Sequence, residues 1–186
     1  MRLLNPCRNA VLLLGTLVLG GSVAMPVRAV TLNFSAVLMP GTCTFSLDKS
    51  ILPLGTVTQP QLQPATLVAA EPFTLRVQGC SGTDAALAPV VNITGDGMTQ
   101  DGRWLFRATD SVATGVGVML VETDAPPPYS ATEVRNNDDI PLAAKGVNPV
   151  DQNLMFYAGM TCGSTGCGSV QVGGLTARVT FSLAYR

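Results

Sequence analysis

Apolar residues fall on every second position in run after run of this chain, and a period of two is the signature of half-buried β-strands. The clearest case is "GGLTARVTFSLAYR", in which Leu175, Ala177, Val179, Phe181, Leu183 and Tyr185 alternate with polar or small residues before Arg186. "VTLNFSAVL" repeats the pattern with Val30, Leu32, Phe34, Ala36 and Leu38, and "PFTLRVQGC" with Phe73, Leu75 and Val77 ahead of Cys80. Between them "TCTFSL", "ILPLGTV", "APVVNITG", "RWLFRAT", "TGVGVMLVE", "IPLAA" and "NLMFYAGM" read as further strands, with Pro53 marking an edge or a bulge. "DGMTQDG" reads as a turn and "TDAPPPYSATEVRNNDD" as a polar, proline-rich loop. No long stretch carries helical periodicity, so the expected fold is an all-β sandwich rather than a set of βαβ units.

The first residues have a different character. Arg2 and Arg8 precede an apolar stretch from Val11 to Leu19, and small residues follow at Ser22-Val23-Ala24 and Val27-Arg28-Ala29. This is the pattern of a secretory signal peptide, expected over residues 1–29, with cleavage after Ala24 as the alternative. The apolar core is too short to span a bilayer, which takes roughly 20 apolar residues. Removing residues 1–29 deletes three arginines and no acids, which turns 11 basic and 12 acidic residues into 8 and 12, a net charge of −4. Such a balance gives no reason to expect a nucleic-acid partner.

Export also changes the meaning of the cysteines. Cys7 leaves with the signal, and Cys43, Cys80, Cys162 and Cys167 remain. An even count in an oxidising compartment points to two disulfides. Cys162 and Cys167 lie close together in "CGSTGC" and are expected to pair, which leaves Cys43 with Cys80. In the chain-entropy picture the long loop contributes about 4 kcal/mol and the small ring about 2 kcal/mol. A four-thiolate zinc site is the rival reading, and the absence of a C-x-x-C knuckle weighs against it.

Catalytic chemistry has little to stand on. With no histidine in the chain, neither a Ser-His-Asp triad nor a histidine-ligated metal can form. Asp138-Asp139 and the pair Asp96 and Asp101 read as solvated turn formers. The sequons at Asn33 and Asn92 lie inside expected strands and read as chance matches. Trp104 reads as core rather than as a platform for a sugar. No catalytic residue, metal or cofactor is assigned.

Two features do not suit an ordinary sandwich. The run 30–38 precedes the first cysteine and has no hairpin partner, and the run ending at Arg186 leaves an apolar strand edge with one internal charge, Arg178, and no proline. Sheets normally blunt such an edge. In this setting the chain resembles the subunits of chaperone–usher fimbriae, the type 1 and P-type pilins, over essentially all of residues 30–186. The resemblance is carried by Phe34, Ala36 and Cys43 in "FSAVLMPGTC", by "FTLRVQGC" up to Cys80, and by the glycine-spaced "TGVGVML". It is carried also by the closing signature, Gly173 fourteenth from the end with penultimate Tyr185. Two features depart from that pattern: Ala36 stands where the family usually has glycine, and the "CGSTGC" ring is additional.

The resemblance implies an incomplete immunoglobulin-like β-sandwich that lacks its final strand and is completed by donor-strand exchange. On that basis residues 30–39 are a donor extension and residues 40–186 the pilin domain. The implied acceptor groove and chaperone-binding edge comprise Gly173, Leu175, Ala177, Val179, Phe181, Leu183, Tyr185 and Arg186. Val30, Leu32, Phe34, Ala36 and Leu38 would fill the groove of the next subunit. The implied partners are a periplasmic pilus chaperone, an outer-membrane usher and neighbouring pilin subunits in a head-to-tail polymer. Export would run through the periplasm to the cell surface, where the fimbrium supports adhesion. A tip adhesin or adaptor that binds a host glycan is the alternative role.

Overall fold

The computed structural model describes Ala36 and residues 38–165 and 167–186. The expected signal region, residues 1–29, and the expected donor positions Val30, Leu32 and Phe34 therefore lie outside the described residues. Among the described residues nine strands form: β1 (Thr42–Leu47), β2 (Val68–Ser81), β3 (Pro89–Thr94), β4 (Gly97–Gln100), β5 (Arg103–Phe106), β6 (Gly117–Glu122), β7 (Asp138–Pro141), β8 (Gln152–Thr161) and β9 (Thr180–Tyr185). One sheet runs β1-β2-β8-β6-β5-β4, the other β7-β3-β9, and every pairing is antiparallel. Among the described residues the only helix is a single 3-10 turn, Gln59–Gln61.

The alternation seen in the sequence explains the core. Phe73, Leu75 and Val77 of β2, Phe156 and Ala158 of β8, and Val118 and Leu120 of β6 point inward from the larger sheet. They meet Val91 and Ile93 of β3 and the half-buried Phe181 and Leu183 of β9. Phe156 stands at the centre, with ring centroids 5.4 Å from Phe73 and 5.5 Å from Phe181. In β6 the alternation is lost because both faces are covered. Met119 and Val121 join Leu105 in a second cluster on the outer face of the larger sheet, over which Tyr129 and Ala131 of the proline-rich loop fold back.

Glu133 ties that loop down. Its carboxylate is buried and ion-paired with Arg103 at 2.7 Å and Arg135 at 2.8 Å, and the Arg103 guanidinium lies 5.2 Å from the centre of the Tyr129 ring. Burial pushes the Glu133 carboxyl up. Hydrogen bonds from backbone N–H groups and the two arginines outweigh that and hold it below its usual range. A carboxyl lowered in the folded state contributes stability that is complete above its unfolded value of about 4.3 and is lost as pH falls through the folded value. Glu133→Gln is therefore expected to cost about 2 kcal/mol at neutral pH and to flatten the acid limb of the stability profile below about pH 4.5. Chemical denaturation as a function of pH checks this, and an unchanged acid limb would show the ion pairs to be idle.

Three expectations are corrected. "DGMTQDG" is not turn throughout: β4 occupies Gly97–Gln100 and forms a two-residue hairpin with β5. Asp101 and Gly102, at φ 53° and 80°, supply the two left-handed positions of a type I′ turn. "ILPLGTV" is not a regular strand, because Gly55 at φ 73° interrupts its extension. The closing run is strand only from Thr180, since its partner β3 ends at Thr94.

Both disulfides join the cysteines expected from sequence. Cys43–Cys80 links β1 to β2 with a Cα separation of 4.1 Å, beside a bulge between Thr42 and Thr44. Cys162–Cys167 closes its small ring with a Cα separation of 5.3 Å.

Candidate functional site

A cleft of about 1000 Å³ opens between two long walls of the sandwich. One wall runs from Leu47 through Leu52, Leu54 and Val57 to Leu62; the other runs back from Phe181 through Val179, Ala177 and Leu175 to Val170. Phe73, Phe106, Val118, Leu120 and Ala158 form the floor, so the cleft reaches down to the main core. The walls therefore expose what a sandwich ordinarily buries. Leu175, Ala177, Val179 and Phe181 are only half-buried and alternate with exposed Thr176, Arg178 and Thr180. On the rim, Ile51 is 82% and Val172 77% exposed.

Stretches of backbone on both walls are open as well. Among the described residues, no backbone hydrogen bond is made by Ser50 to Val57. On the opposite wall, the Gly174 carbonyl accepts from Val112 and Ala113 N–H, and the Thr176 carbonyl accepts from Ala108 N–H. In an extended chain successive residues present their N–H and C=O groups to opposite edges. Thr176 thus faces the 108–113 segment, while Leu175, Ala177 and Val179 present their backbone groups toward the cleft, where no described residue meets them. The arrangement suits an incoming extended segment that would pair along the wall and place alternate side chains in the cleft.

The residues expected from sequence divide into two groups. Gly173, Leu175, Ala177, Val179 and Phe181 line the cleft. Leu183, Tyr185 and Arg186 lie beyond it: Leu183 pairs with Val91, Tyr185 with Pro89, and Arg186 exchanges backbone hydrogen bonds with Ala88. The Tyr185 hydroxyl donates to the Gly82 carbonyl at 3.3 Å, and Arg186 Nε donates to Asp139 Oδ2 at 2.9 Å. Gly173 has a steric reason to be glycine, since a Cβ there would meet Val112 Cγ1 at 2.8 Å and Ala113 N at 2.9 Å. Of the expected donor positions, the structure describes only Ala36 and Leu38, and Leu38 is 98% exposed.

Charge is sparse at the cleft. Arg178, which is among the residues lining the cleft, forms a paired contact with Asp110, at 3.0 Å and 2.8 Å, so that its charge is matched by a carboxylate. The hydrogen bond from Arg178 holds the Asp110 carboxyl below its usual range. Sequence reading missed the opposite wall, Leu47 to Leu62, although its apolar "ILPLGTV" was the available signal. Among the described residues no cluster of histidine, cysteine and acidic side chains could hold a metal ion.

No protein-family model and no curated protein sequence matches the chain. Among solved structures, it is similar to the P pilus rod subunit PapA at 17% identity and a TM-score of 0.50, over 80% of this chain and 100% of that one. It is also similar to the P pilus adaptor subunit PapF at 14% identity and a TM-score of 0.43, over 77% of this chain and 95% of that one. The first likeness shows the fold: the two antiparallel sheets are those of a pilin's immunoglobulin-like domain.

Proposed function

We propose that the protein is a structural subunit of a chaperone–usher pilus that polymerises by donor-strand exchange. The open apolar cleft, with stretches of unpaired backbone on both walls, carries this reading. After loss of residues 1–29, the extension 30–39 of one copy enters the cleft of the domain 40–186 of the next. Val30, Leu32, Phe34, Ala36 and Leu38 then face the floor. Strand addition to an open sheet edge is a known recognition mode, of which chaperone–pilin complementation is itself an example.

The energetics favour a durable joint. Four sizeable apolar side chains at about 1.5–3 kcal/mol each give roughly 6–12 kcal/mol as an upper estimate. Each ladder hydrogen bond adds about 0.5–1.5 kcal/mol net. Because donor and acceptor are different surfaces of one chain, the contact does not close on itself and generates a filament. Before assembly a periplasmic chaperone occupies the cleft, and an outer-membrane usher exchanges it for the next subunit at the cell surface.

A peptide of residues 30–38 added to the mature chain is expected to raise its melting temperature and suppress its precipitation. A peptide of the same composition with its alternation scrambled is expected to do neither. Melting that ignores both peptides equally would overturn the assignment.

A further inference from the structure

The Cys162–Cys167 ring sits at the end of the cleft remote from Phe181, and its contacts reach one wall at Val170 and the segment that follows the other at Ala65. Cys162 is fully buried where β8 ends. On one side the Ala65 N–H donates to the Gly163 carbonyl at 2.8 Å, just past Leu62 at the end of the first wall. On the other, the Val170 N–H donates to the Cys167 carbonyl at 3.2 Å, and Val170 begins the second wall. Gln59 Nε2 spans the two walls directly, donating to the Val170 carbonyl at 3.4 Å.

The ring is also fastened from below. Asp101, in the β4–β5 turn, accepts from Ser164 N–H at 2.6 Å and Thr165 N–H at 2.9 Å through Oδ2, and from Thr165 Oγ1 at 2.9 Å through Oδ1. The neighbouring Gln100 Nε2 donates to the Cys162 carbonyl at 2.5 Å and the Gly115 carbonyl at 3.3 Å. Toward the Phe181 end of the cleft, the wall is instead held by the β3–β9 ladder. The two ends are thus organised by different means: one by a sheet, the other by a covalent ring seated on a carboxylate.

We propose that the Cys162–Cys167 ring and Asp101 form a positioning device that fixes the spacing of the two walls at this end of the cleft, so that the incoming strand's residue there meets a preformed pocket. The inference rests on the reading of the cleft as a strand acceptor. Its physical basis is pre-organisation: a wall already held in the bound geometry spares the partner the ordering that a loose one would demand.

The test measures affinity of the mature chain for the 30–38 peptide and for single-alanine versions of that peptide at Val30, Leu32, Phe34 and Leu38. The same series is run on Cys162→Ser/Cys167→Ser and on Asp101→Asn, which keeps the disulfide and guards against a ring variant that fails to fold. In the ring variant, binding is expected to weaken by about tenfold, the equivalent of one lost apolar anchor. The alanine effect is expected to vanish at one end of the peptide and persist at the other; Asp101→Asn shows the same one-ended pattern to a smaller degree. A loss spread evenly over all four positions, or no loss, would overturn the inference while leaving the acceptor reading intact. Absence of binding by the unaltered chain would overturn both.

Discussion

Phe34→Asp is expected to abolish incorporation of the subunit into fibres while leaving its complex with the chaperone intact. The substitution removes the largest side chain of the proposed donor strand, a loss of about 1.5–3 kcal/mol of burial. It also asks the apolar cleft floor to accept a carboxylate, and burying an uncompensated charge costs far more than the phenyl ring contributed. The proposed acceptor cleft of the same molecule, lined by Leu175, Ala177, Val179 and Phe181, is untouched, so chaperone capture should persist. Ser35→Asp is the matched control, because the alternation turns position 35 away from the cleft; near-normal assembly is expected there. Co-purification with the chaperone and electron microscopy of fibres provide the two readouts. Equal loss of both after Phe34→Asp would remove the proposed division of roles between the two ends of the chain.

Cys43→Ser/Cys80→Ser should produce the largest change in stability. The bridge spans 37 residues, and the chain-entropy relation assigns a loop of that size about 4 kcal/mol. For a domain of this length that corresponds to a melting temperature lower by roughly 8–16 °C. Location adds to the effect. Among the described residues β1 is an edge strand whose one ladder partner is β2, and the wall from Leu47 to Leu62 follows directly from it. Loosening β1 should therefore weaken peptide binding as well as the fold. Thermal melting with and without the 30–38 peptide measures both quantities, and a loss under about 1 kcal/mol would show that β1 is secured by its ladder instead.

Much of the architecture can be read from residue periodicity, because side chains in a strand alternate faces regardless of what the strand pairs with. That is why Phe73, Leu75 and Val77 can be assigned to the core from the sequence and are buried in the structure. The same reasoning was blind to β4. There the Asp101-Gly102 pair marked a turn, but four residues with only Met98 as a large apolar group do not proclaim a strand. It also overextended the closing strand, since Leu175 to Val179 keep the period of two without a ladder beneath them.

The period of two and the close spacing of Cys162 and Cys167 are local properties, written in neighbouring residues and so available from the chain alone. Adjacency is not local. That β8 lies between β2 and β6, and that the 47–62 segment stands opposite 170–181 with a gap between them, depends on which alternating runs pack together; apolar alternation is equivalent in all of them. The sequence of the closing run thus marks one wall, and only the tertiary structure supplies the other wall, the floor between them and the ring that braces one end.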